Sequence, residues 1–153
     1  MRKHHSAPLA HLLLLISALI VAGCQQVESS KPTAPNATTN TGKIAVTTSS
    51  EEARKEYLAG RDLQEKLRIT DSIQHFDKAI SLDPNFALAH LNRANVSPTG
   101  KEFFEHLKHA ATLADKASDG ERMLIQATEA GANANPTKQK QILEQLVAAY
   151  PND

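Results

Sequence analysis

The chain has no tryptophan, and aromatic residues make up only 4% of its 153 residues. So thin a supply of large flat side chains speaks against a β-sandwich core and suits alanine-rich helices packed at close range. Charge of one sign is equally lacking, with 17 Lys plus Arg against 17 Asp plus Glu. That balance provides no electrostatic footprint for a phosphate backbone, so nucleic acid is not an expected partner. A single cysteine excludes an intramolecular disulfide and any multi-cysteine metal site. Also missing are a Gly-rich phosphate loop, a GxSxG nucleophile elbow and an HExxH pair. With no partnered pocket suggested, the chain is not read as an enzyme, and no cofactor is expected.

What is present begins with a targeting pattern. Met1-Arg2-Lys3-His4-His5 is cationic, and Leu12 to Ala22 is an almost unbroken apolar run of about 11 residues, the length of a signal-peptide core. A spanning helix would need roughly 20. The run ends in Val21-Ala22-Gly23-Cys24, which resembles the lipobox of bacterial lipoproteins. The resemblance implies removal of residues 1–23 and lipidation of Cys24 as the new N-terminus. Each buried acyl CH₂ adds about 0.8 kcal/mol, so more than one chain holds the protein on a membrane. Loss of Arg2 and Lys3 leaves 15 basic against 17 acidic residues, a formal charge of −2. Gln25 and Gln26 after the cysteine imply, by the same resemblance, sorting to the outer membrane, facing the periplasm, if the envelope is Gram-negative.

Residues 24–50 comprise this cysteine and a stretch rich in Ser, Thr, Asn, Pro, Ala and Gln, with only Val27 and Ile44-Ala45-Val46 as apolar material. Such a stretch cannot bury enough surface to offset its ordering entropy, and a flexible linker is expected.

From Ser49 onward, helix boundaries recur. Ser49-Ser50-Glu51-Glu52, Thr99-Gly100-Lys101-Glu102 and Ser118-Asp119-Gly120-Glu121 each have the form of a capping box. Asn135-Pro136 reads as an N-cap followed by proline in the first turn, while Asp83-Pro84 and Ser97-Pro98 mark breaks. These signals predict six helices, near 50–66, 70–82, 86–96, 100–116, 119–132 and 136–150. Apolar residues recur at helical spacing, as in Ile73, Phe76 and Ile80, or Ile142, Leu143, Leu146 and Val147. The expectation is an all-α domain over residues 51–153.

Phe76-Asp77-Lys78-Ala79-Ile80-Ser81-Leu82-Asp83-Pro84-Asn85 aligns with Leu143-Glu144-Gln145-Leu146-Val147-Ala148-Ala149-Tyr150-Pro151-Asn152, 67 residues on. That is nearly two periods of a 34-residue helical hairpin, and residues 53–86 resemble a tetratricopeptide repeat. Gly60 falls on the small position where its two helices cross, Phe76 on the large one opposite, Ala79 on the second small one and Pro84 on the terminal proline. Ala94 and Ala127 follow Gly60 at intervals of 34 and 33, and Leu107 and Leu143 follow Phe76 at 31 and 36. The family's first-helix aromatic is replaced by Glu56, with Tyr57 beside it. The resemblance covers about residues 50–153 and implies a short α-solenoid of three hairpins acting as an interaction scaffold for a protein or peptide. Its groove positions fall on Arg54, Tyr57, Arg61, Gln64, Leu88, Leu91, Asn95, Leu124 and Thr128. The subgroup that clamps a terminal carboxylate is not matched, because Tyr57, Glu121 and Ile125 stand at its polar positions and only Asn92 agrees.

His106 and His109, three apart on one helix, support an alternative, a metal-handling or enzyme-accessory protein. The sequence supplies no third ligand beside them, and a solvated face is the expected reading. The last helix carries Ile142, Leu143, Leu146, Val147 and Tyr150, too wide an apolar arc for one neighbouring helix, with no capping helix after it. Part of that arc is expected to be exposed, as in a shortened member of a longer repeat family or a chain that self-associates through this helix.

Overall fold

Among the described residues, four helices start on a side chain that accepts a hydrogen bond from the first turn. In the computed structural model, which describes residues 42–153, Ser50, Thr99, Ser118 and Asn135 accept from the amides of Ala53, Glu102, Glu121 and Lys138. Such caps satisfy backbone donors that the helix itself leaves orphaned. The export signal, Cys24 and the linker as far as residue 41 lie outside the described residues.

The resulting elements are α1 (Glu51–Glu65), α2 (Ile69–Leu82), α3 (Ala87–Asn95), α4 (Gly100–Leu113), α5 (Asp119–Ala132) and α6 (Pro136–Ala149). A single 3₁₀ turn, Ala114–Lys116, follows α4. The described residues are helical with no strand, and the helices pack in sequential pairs: α1 on α2, α3 on α4, α5 on α6. Two caps differ from the expected boxes. Ser50 rather than Ser49 starts α1, and Ser49 instead turns its amide and hydroxyl to Asp83. Thr99 caps α4, but the Glu102 carboxylate accepts from Arg93 Nη2 at 2.8 Å. Of the three expected boxes, the one at Ser118 and Glu121 forms reciprocally.

Where α1 and α2 cross, Gly60 faces Phe76, and Ala79 is fully buried beside them. The core continues through Ala53, Tyr57, Phe86, Leu88, Leu91, Leu107 and Ile125. Tyr57 lies 6.0 Å from Phe76 and 5.0 Å from Phe86 between ring centroids, so three aromatic rings share the first two hairpins. Burying a side chain of this size contributes about 1.5–3 kcal/mol. Ala94, Ala110 and Ala127 supply the small positions that let later helices approach. In α6 Ile142 and Leu146 are the buried residues, whereas Leu143, aligned with Phe76 by sequence, is 38% exposed.

Residues 42–50, expected to belong to a flexible linker, instead lie against the domain. Ile44 is buried, and Val46 packs on the core. Residues 42–50 are therefore part of the domain's packing, because two apolar side chains and several hydrogen bonds hold what composition alone marks as loose.

Candidate functional site

The expected groove residues divide by burial. Tyr57, Leu88 and Leu91 are core residues, not groove-lining ones. The reason for Leu88 and Leu91 lies in α3, where seven of nine residues are buried because this short helix packs against α2, α4 and α5. The Tyr57 hydroxyl accepts a hydrogen bond from Asn92 Nδ2 at 2.8 Å, and burial pushes its pKa up to about 12. Arg54, Arg61 and Gln64 remain partly accessible along one side of α1, Asn95 is exposed on α3, and Leu124 and Thr128 are half-buried on α5. Arg54 and Arg61 make ion pairs within their own helix, to Glu51 at 3.3 Å and Glu65 at 3.5 Å. Gln64 Oε1 is buried with no hydrogen-bond partner among the described residues.

Beside His106 and His109 the fold brings a third imidazole, His90 of α3. Its Nδ1 lies 3.4 Å from His106 Nδ1, and its Nε2 lies 3.3 Å from the Pro84 carbonyl. Neutral His90 satisfies both contacts as one tautomer, donating from Nε2 to the carbonyl and accepting at Nδ1 from His106. Burial drives its pKa down to about 4, against the raising effect of the Pro84 carbonyl and with help from His106 and His109. Burial also lowers His106, and the Arg93 charge adds to the effect. His109 stacks on the His90 ring, with centroids 5.2 Å apart and planes 26° from parallel. Among the described residues no group of three or more His, Cys, Asp or Glu is arranged to hold a metal ion.

Three polar hubs emerge that sequence reasoning did not single out as sites. Arg93 donates to Asp77 at 2.7 Å, Ser97 at 2.9 Å and Glu102 at 2.8 Å, tying α2, α3 and α4. Its hydrogen bond holds the Glu102 carboxyl below its usual range. Asp83, at the end of α2, accepts from Thr48 Oγ1 at 2.5 Å and from the Ser49 amide at 3.2 Å through Oδ2, while Oδ1 takes the Asn85 amide at 3.0 Å. Burial opposes its charge, but these hydrogen bonds prevail and its pKa is lowered. Glu121, fully buried, accepts from the Thr47 amide at 2.8 Å on Oε1 and from the Ser118 amide at 2.7 Å on Oε2. The local signals at these hubs were the capping forms that include Glu102 and Glu121 and the break at Asp83-Pro84, which mark helix ends and not the long-range contacts made there.

On the opposite end of the sequence order, α6 presents Leu143 and Val147, the latter 68% exposed, in a shallow depression with Pro136, Gln139, Lys140 and Glu144. Among the described residues no helix is long and apolar enough to cross a membrane. No protein-family model, curated protein or solved structure matches this chain.

Proposed function

We propose that the chain is a membrane-anchored lipoprotein of the tetratricopeptide-repeat type, which acts as a protein–protein interaction scaffold in the bacterial cell envelope. Cys24 carries the lipid, and the helical domain holds a protein or peptide partner near the membrane, at the outer membrane if the envelope is Gram-negative. The observation that carries the repeat reading is the first hairpin, where Gly60, Phe76 and Ala79 meet at the crossing of α1 and α2. Stacked hairpins present long faces that suit partner capture rather than catalysis. The accessible candidates for contact are Arg54, Arg61, Gln64, Asn95, Leu124 and Thr128. Self-association through α6 belongs to the same proposal, supported by the exposure of Leu143 and Val147.

Fatty-acid labelling of the full chain tests the anchor. The parent incorporates label and sediments with membranes, whereas Cys24→Ala is unlabelled and retains the residue 1–23 segment. Labelling that survives the substitution contradicts the proposal.

A further inference from the structure

Residues 43–49 alternate strictly in exposure. Lys43, Ala45, Thr47 and Ser49 face solvent, while Ile44, Val46 and Thr48 turn toward the protein. Period-two alternation marks an extended chain with one face covered, yet among the described residues no strand lies beside it. Its backbone is satisfied by helix ends instead. The Gly42 carbonyl accepts from the Asn152 amide at 2.8 Å, and the Ala45 carbonyl accepts from Ser118 Oγ at 3.0 Å. The Thr47 and Ser49 amides donate to Glu121 and Asp83. Backbone hydrogen bonds combined with recesses for alternate side chains are the way proteins recognise extended peptides.

The recess for Ile44 is built by an absent side chain. A Cβ at Gly120 would lie 2.9 Å from both Ile44 Cγ1 and Cγ2 and equally close to the Tyr150 ring, so only glycine leaves this space open. Next to it, Val46 rests on the core, and Thr48 reaches Asp83. The segment thus bridges the third hairpin, through Gly120, Glu121 and Tyr150, to the end of the first at Asp83.

We propose that residues 42–49 are the built-in, displaceable occupant of a peptide-docking site. The partner it stands in for is an extended segment with β-branched residues two apart followed by a hydroxyl residue. Asp83 requires a hydroxyl donor, so an acidic residue at the Thr48 place is rejected, whereas the solvent-facing Thr47 place offers only its backbone amide to Glu121 and accepts any residue but proline. The proposal rests on the scaffold reading only for its biological use, since occupancy of the site is measured without any natural partner.

The test uses the full chain and a fluorescent peptide of sequence Gly-Lys-Ile-Ala-Val-Thr-Thr-Ser. The double variant Ile44→Asp, Val46→Asp releases the internal segment and binds the peptide saturably. The parent binds at least about tenfold more weakly, since only molecules with the segment released are competent. A peptide with Asp at the two β-branched places does not bind, and Gly120→Val added to the double variant abolishes binding. Absence of saturable binding to a double variant of parental helicity, or equal binding by the parent, overturns the proposal. If the double variant does not fold, amide exchange in the parent decides. Exchange of Thr47 and Ser49 well ahead of the α1 and α5 core amides supports displacement, and exchange only with global unfolding overturns it. Neither result depends on lipid labelling or on capture from an envelope.

Discussion

Phe76 occupies the space that Gly60 leaves open: a Cβ on Gly60 would lie 2.8 Å from Phe76 Cε1 and 2.9 Å from Cδ1, with His75 Cβ at 3.2 Å. A ring held between helices cannot retreat as a flexible side chain can. Gly60→Leu therefore forces α1 and α2 apart and is expected to cost about 1–3 kcal/mol, the usual range for overpacking. Phe76→Ala empties a fully buried site at about 3–5 kcal/mol. Urea denaturation followed by circular dichroism measures both, and parental midpoints for the two variants contradict the hairpin packing.

Acid destabilises the second hairpin through His90. In the folded state its pKa is depressed to about 4, from an ordinary 6.5. The unfolded chain therefore binds more protons between these values, and stability rises with pH across that window. His90 contributes fully above pH 6.5 and progressively less down to about pH 4, at most about 3 kcal/mol for a shift of this size. Denaturant stability measured from pH 4 to 7 falls on acidification, and His90→Leu flattens the dependence. His106, lowered in the same direction, leaves a smaller residual slope in that variant. An unchanged slope in His90→Leu contradicts the assignment.

The turn between α1 and α2 places Leu67 at φ 61°, where a Cβ is unwelcome, and leaves the side chain 84% exposed. The Arg68 amide bonds back to Leu63 and the Leu67 amide to Gln64, the pairing of a helix end that favours glycine. Leu67→Gly is expected to stabilise the domain by about 1 kcal/mol, because relief of the left-handed strain exceeds the added entropy of the unfolded chain. A lowered denaturation midpoint runs against this account.

Helix boundaries were legible because caps and prolines act within a few residues. Asn135-Pro136 and Ser118 with Glu121 start helices where local chemistry placed them. Leu88 and Leu91 were misread as groove residues because a repeat alignment assumes an open inner face and α3 here is covered by neighbours on several sides, and Tyr57 because its ring packs on Phe76 and Phe86. The Ile44, Val46 and Thr48 alternation is visible in the sequence. A seven-residue signal inside a Ser- and Thr-rich stretch has nothing local to distinguish it, and its partners Gly120 and Glu121 lie more than 70 residues away. His90 was hidden for the same reason, since only folding brings it to His106 and His109.

Leu143 and Val147 make α6 the expected route of self-association. Leu143→Lys with Val147→Lys is expected to shift sedimentation of the lipid-free domain toward the monomer while leaving helicity unchanged. A parent that is already monomeric at high concentration contradicts this route.

The central claim, that this is a scaffold for another protein, is tested most directly by crosslinking capture from envelopes carrying the full-length parent or the Arg54→Ala, Arg61→Ala variant. Both arginines are partly exposed, and their ion pairs and the hydrogen bond of Arg61 with the Tyr57 hydroxyl all lie within α1, so their loss is expected to cost about 1 kcal/mol of folding stability or less. The account predicts a discrete partner on the parent, strongly reduced on a variant that keeps its circular dichroism and melting. Equal capture by parent and variant, or no discrete partner on either, contradicts it.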